Sequence, residues 1–171
     1  MKRLLLSITF IAAFAAASWA QKFALVDMEY ILKNIPAYEM ANEQLNQLSQ
    51  RWQKEIENKQ TQAADAYQQY QADYIFLSDD QKKQREQEVT EIEKQAAELR
   101  YKYFGPEGEL FEKRKTLIEP IQNQIYEAIK KLADEKGYQA ILDRASSSDI
   151  IFASPRIDVS NDVLQRLGYS R

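Results

Sequence analysis

The chain has 171 residues, 29% of them charged, with 23 basic against 26 acidic side chains, and it contains neither His nor Cys. That inventory excludes disulfides and thiol catalysis, and it removes the commonest general base and metal ligand. The acidic balance argues against nucleic acid as a partner, since such binding needs basic clusters that neutralise phosphates, and it offers no polybasic patch for an anionic membrane surface.

Residues 1–20 read as a secretory signal peptide. Lys2-Arg3 forms a positive start, Leu4 to Ala17 an apolar run, and Ser18-Trp19-Ala20 a small-x-small cleavage signal. Cleavage is expected after Ala20, and the run is shorter than the ~20 residues of a spanning helix. Without Lys2 and Arg3 the basic count falls from 23 to 21 against 26 acidic residues, a net charge of −5. The chain from Gln21 is expected to work in an extracytoplasmic space.

Phe23 to Val26 is bounded by the processing site and partly alternating, which predicts a strand. A short amphipathic turn, Glu29 to Lys33, follows, and Ile35-Pro36 breaks it because the residue before Pro is pushed out of the α region. Then comes a long stretch, Tyr38 to Leu132, in which apolar residues recur at helical spacing. In its first arm they are Tyr38, Ala41, Leu45, Leu48, Trp52, Ile56, Ala63, Tyr67, Tyr70, Tyr74 and Leu77; in its second, Val89, Ile92, Ala96, Leu99 and Tyr103. The steps average about 3.5 residues, the period of a narrow coiled-coil seam rather than a broad core-facing stripe. Between the arms, Ser78 or Asp79 is placed to cap a new helix. The stretch therefore predicts a helical hairpin with its tip near Ser78.

Gly105-Pro106-Glu107-Gly108 predicts a kink or a true break, a place where the arm could splay. Helix resumes through Leu110, Leu117, Ile121, Ile125, Ala128, Ile129 and Leu132, with a bend expected at Pro120, and Gly137 ends it in a left-handed cap. Tyr138–Asp143 and Asp149–Ala153 read as two strands joined in a hairpin by the Ala145–Ser148 loop. Ile157–Val159 reads as extended, and Ser160 as the cap of a short helix stopped by Gly168. Strands at both ends of the sequence predict that the ends meet in one head. The expected division is a head segment 21–36, a hairpin arm 37–115 and a second head segment 116–171, together an α+β fold.

None of the four Gly belongs to a phosphate-cradling loop, so an ATP-driven machine is not expected. The paired carboxylates Asp79-Asp80, Glu86 with Glu88 and Glu91 with Glu93 read as solvated faces and a capped turn, and no catalytic, cofactor or metal site is expected. The informative excess is aromatic: Tyr67, Tyr70, Tyr74 and Phe76 before the tip, and Tyr101, Tyr103 and Phe104 on the returning arm. Phe76 and Phe104 fall off the seam, and a narrow two-helix arm cannot bury all seven. Exposed aromatics suit weak, adaptable binding of apolar segments.

Lys22–Met28, Tyr138–Asp143 and Ile157–Leu164, in that order around a helical hairpin, resemble the opening strand, returning strand and closing motif of the Skp/OmpH family of periplasmic chaperones. The resemblance implies a homotrimer whose head strands associate into a small β-barrel, with Phe23, Leu25, Val26, Ile141, Leu142, Ile150, Ile151 and Phe152 as the candidate trimerisation residues. It also implies a periplasmic holdase that binds unfolded outer-membrane proteins without ATP, with the arm aromatics as candidate client contacts. The chain departs from basic members of that family, since Tyr38 to Phe104 carries nine Lys or Arg against thirteen Asp or Glu. The alternative reading is a structural or adaptor spacer of the cell envelope.

Overall fold

The computed structural model describes residues 22–147 and 150–169; the signal-peptide expectation for residues 1–20 lies outside them, as does the Asp149 start of the expected third strand. The chain divides into two compact units. One takes in the described residues up to Ile35 together with those from Gln124 on, and the other is Pro36–Asn123.

The first unit is built on two strands, β1 (Lys22–Val26) and β2 (Tyr138–Asp143), which pair in parallel with Phe23 opposite Ala140 and Val26 opposite Asp143. The two ends of the sequence thus meet in one sheet. Ala24, Leu25 and Val26 are buried, as are Ile31 of the short helix α1 (Met28–Lys33) and Val163 and Leu164 of the last helix, α5 (Ser160–Arg166). Parallel strands need a long crossover, and here the entire helical hairpin serves as that connection.

The expected hairpin between residues 138–143 and 149–153 does not form. β2 pairs with β1 along one edge and its outer edge has no partner among the described residues, while β1 also meets Asp158 in a bridge at Leu25, with the Val159 N–H donating to the Leu25 carbonyl over 2.8 Å. Ile150–Ser154 is left without a ladder, and Ile151 and Phe152 face solvent. Ser160 is also not the cap expected of it. It is the first helical residue, buried, and its hydroxyl accepts from the Asp27 N–H (2.8 Å) and donates to Asp158 (2.6 Å).

In the second unit, α2 (Pro36–Asp73) packs along α3 (Asp79–Phe104) as an antiparallel hairpin. Pro36 opens α2 at the one helical position where a missing N–H costs nothing. With 38 residues, α2 is about 57 Å long. The buried side chains Ala41, Leu45, Trp52, Ile56, Ala63 and Tyr70, facing Val89, Ala96 and Tyr103, all belong to the seam read from the sequence. Two seam assignments fail: Tyr74, which stands past the end of α2, and Tyr67, which lies between buried Ala63 and Tyr70, are each about half exposed.

The connection is a turn of 3-10 helix (Tyr74–Phe76), then extended Leu77 and Ser78. Ser78 closes a capping box: its Oγ accepts from the Gln81 N–H and its own N–H donates to the Gln81 side chain over 2.9 Å. Gly105–Gly108 is a true break, after which α4 (Glu109–Lys136) begins and continues through Pro120. Gly137 ends α4 with φ +71°, a value that favours Gly over any L side chain.

Candidate functional site

The candidate surface lies in the hairpin unit, where the same residue types are put to two uses. At the joint between α3 and α4, Trp52 stacks on Tyr103 with ring centroids 4.8 Å apart and planes 7° off parallel. Phe104 meets the same indole edge-on at 6.3 Å, so it packs inward, contrary to its expected place off the seam. Leu48, Leu99 and Leu110 close the cluster. The Tyr103 hydroxyl donates to Glu55 on the facing helix (2.9 Å), so the ring is buried without stranding its polar end. Burial, then this bond to a carboxylate, pushes the Tyr103 phenol above its ordinary pKa.

Gly105 and Gly108 make the joint geometrically possible. A Cβ on Gly105 would lie 2.4 Å from the Tyr101 carbonyl oxygen, and one on Gly108 would lie 2.9 Å from three backbone atoms. The Lys102–Glu109 ion pair (3.4 Å) spans the break from outside.

At the turn the arrangement inverts. Tyr70 is buried, its hydroxyl donating to Glu86 over 2.7 Å, and this bond pushes its pKa up to about 12. Its ring is tilted against Tyr67 (6.4 Å) and edge-on to Tyr74 (5.6 Å), because positions 67, 70 and 74 share one helical face. Beyond Tyr70 the side chains open to solvent: Tyr74 is 46% exposed, Ile75 80% and Phe76 81%. Lys82 lies over the Tyr74 ring at 4.4 Å. Ile75 was not among the candidates from the sequence; its position off the seam, directly beside Phe76, is the signal that could have found it.

The seven sequence-predicted aromatics therefore separate. Tyr67, Tyr74 and Phe76 gather at the turn, Tyr101 is exposed on α3 near the joint, Tyr70 and Tyr103 are buried in the seam, and Phe104 packs on Trp52. The candidate trimerisation residues separate too. Leu25 and Val26 are buried within their own unit, and Ile141 and Ile150 are half-buried. Phe23 (48%), Leu142 (50%), Ile151 and Phe152 present apolar surface.

In the head unit, polar side chains fix the ends of the strands. Arg144 pairs with Asp27 (3.1 Å) and Asp158 (3.3 Å), joining both flanks of β1 and the base of the segment that carries Ile151 and Phe152. Asp143 is partly buried, which works against its charge, yet hydrogen bonds from Ser146 and from the N–H groups of Met28, Ala145 and Ser146 hold its carboxyl below the ordinary range. These groups hold the ends of the strands together. Among the described residues no helix is long and apolar enough to cross a membrane.

A family model described as "Outer membrane protein (OmpH-like)" matches residues 22–167. No curated protein matches the sequence. The fold is similar to the crystal structure of a candidate outer membrane chaperone (OmpH-like) from Caulobacter crescentus CB15, with a TM-score of 0.68 at 12% identity, covering 86% of this chain and 83% of that one. At that identity the likeness speaks for the fold. The family match spans both strands, the hairpin and the last helix, and on it the chain belongs to the OmpH-like outer membrane protein family.

Proposed function

We propose that the protein is a periplasmic chaperone, an ATP-independent holdase that binds unfolded outer-membrane proteins and keeps them from aggregating in transit. The observation that carries this reading is the group of solvent-facing apolar side chains at the hairpin turn, Tyr67, Tyr74, Ile75 and Phe76. A folded domain gains nothing by exposing them, whereas a binder of unfolded chains needs apolar contacts that are weak and adaptable. Family membership supports the same role, as does the description of the Caulobacter protein as a candidate outer membrane chaperone. Client contacts are assigned to the exposed turn, with Tyr101 as a second contact. Tyr70, Tyr103 and Phe104 serve it indirectly by holding the hairpin together.

The working form is proposed to be a homotrimer assembled through the head. Phe23, Leu142, Ile151 and Phe152 would supply the apolar surface, and the unpaired Ile150–Ser154 segment a further strand. Several arms bound to one client would turn weak contacts into tight retention. The test is light scattering from a urea-diluted outer-membrane β-barrel protein, with and without this protein and with no nucleotide, together with a mass measurement on the same mixture. Suppression at near one trimer per client supports the reading. A well-folded oligomer that leaves aggregation unchanged sinks it.

A further inference from the structure

The hairpin turn has a charge pattern as distinct as its apolar one. From Gln60 to Gln81 the chain contains no Lys or Arg and four acidic residues, Asp65, Asp73, Asp79 and Asp80. All four are exposed, and among the described residues the only ion pair formed by any of them is a loose one, Asp79 to Lys82 at 3.8 Å. They surround the same short stretch that presents Tyr67, Tyr74, Ile75 and Phe76 to solvent. The nearest cations on either side, Lys59 and Lys82, are both engaged: Lys59 donates to Gln95, and Lys82 lies over Tyr74.

Resting on the holdase reading, we propose that the turn selects its clients by charge, preferring apolar segments flanked by Lys or Arg. Lys82 shows the mode of recognition within the chain itself. Its ammonium sits 4.4 Å from the Tyr74 ring centroid and 3.8 Å from the Asp79 carboxylate, so one cation is held by an aromatic face and an acid together. Tyr67, half exposed on the same helical face as Tyr74, offers a second ring to a cation from outside. Ile75 and Phe76, exposed directly after Tyr74, would take the apolar side chains. The four exposed carboxylates, offset among the described residues by one loose pair of Lys82 with Asp79, attract basic segments and repel acidic ones before contact is made. Asp79 and Asp80 also favour the start of α3, but a charge that suits a helix N-terminus remains visible to a partner when exposed.

The test compares two fluorescent peptides with one shared apolar core of Leu, Phe, Val and Tyr, flanked by Lys in one and by Glu in the other. Binding is measured by anisotropy on protein purified after expression of the full chain. The Lys-flanked peptide is expected to bind roughly tenfold more tightly, the sum of several exposed pairs that are each weak. That preference is expected to shrink in high salt, and to vanish in the triple variant Asp65→Asn, Asp73→Asn, Asp80→Asn, which spares Asp79 and whose helicity is checked by circular dichroism. Phe76→Ser is expected to weaken both peptides alike and keep the preference. Equal affinity for the two peptides, tighter binding of the Glu-flanked one, or a preference that survives the triple variant overturns the charge selection. If neither peptide binds while aggregation of the unfolded β-barrel protein is still suppressed, the turn is not the selecting site and only this inference falls. If suppression is absent as well, the holdase reading falls with it.

Discussion

The joint at Trp52 and the turn at Phe76 are two aromatic clusters on one hairpin with opposite fates. At the joint, rings stack against each other, the one hydroxyl is satisfied by Glu55, and the surrounding leucines exclude water. At the turn, only Tyr70 finds a second helix to cover it, and its neighbours stay wet. Aromatic content alone therefore says little about role. A ring with a facing helix adds stiffness, and a ring beyond the last seam contact is surface for a partner.

Substitution at the two ends should separate these roles, and the largest effect is expected at the joint. Trp52→Ala removes a buried indole that touches Tyr103 and Phe104, and should cost about 3–5 kcal/mol, the range for large aromatic truncations in a core. Urea unfolding followed by circular dichroism measures it. Phe76→Ser, at 81% exposure, should leave the unfolding midpoint nearly unchanged while aggregation suppression weakens. If both variants lost stability alike, the contrast between joint and turn would be wrong.

Next in size is Gly108→Ala. Its new methyl would sit 2.9 Å from backbone atoms of Lys102, Tyr103 and Gly105, so the break must open or shift. Overpacking of this kind costs about 1–3 kcal/mol. Hydrogen exchange should locate the loosening at residues 101–110 and leave residues 74–82 protected as before. Smaller again is Ser78→Ala, which removes one of the two reciprocal bonds of the capping box. A loss of about 1 kcal/mol is expected, with fraying confined to the first turn of α3.

The seam was legible because a two-helix arm leaves only one place for apolar residues to go. Every buried seam position, from Ala41 to Tyr103, lies on the period seen in the sequence. The Ser78 cap and the Gly137 stop were legible for similar local reasons. Periodicity fails at Tyr74, where α2 has ended, and at Tyr67, which continues the pattern but is half exposed between buried Ala63 and Tyr70. Phe104 shows the reverse error: the break at Gly105 turns the chain, and a side chain off the helical stripe packs on Trp52. The missing β-hairpin has a different cause. Asp149–Ala153 has the composition of a strand, but composition does not supply a partner: the sheet ends at β2, whose outer edge stays unpaired among the described residues. Ile75 went unnoticed because the sequence reading followed the aromatic excess, although it lies off the seam directly beside Phe76.

The finest test of the contrast uses the hydroxyl of Tyr70, the last ring that the seam still covers. The bond to Glu86 raises its pKa from 10.0 to about 12, so the folded hairpin holds that proton more tightly than the unfolded chain does. A group whose pKa is raised by folding contributes its stability in full below the unfolded value, and loses it as pH climbs through the folded one. The bond should therefore support the hairpin at pH 7 and up to about pH 10, then fade towards about pH 12 as a phenolate forms beside the Glu86 carboxylate. Tyr70→Phe keeps the ring contacts with Tyr67 and Tyr74 and deletes only the titrating group. Its stability should lie slightly below that of the parent at neutral pH, and the two unfolding curves should converge between pH 10 and 12. Absorbance at the tyrosinate band should lose a late-titrating component in the variant. Parallel stability curves across that window would mean that Tyr70 is held by packing alone, and the change from covered to open rings would then begin one helical turn earlier than the buried hydroxyl implies.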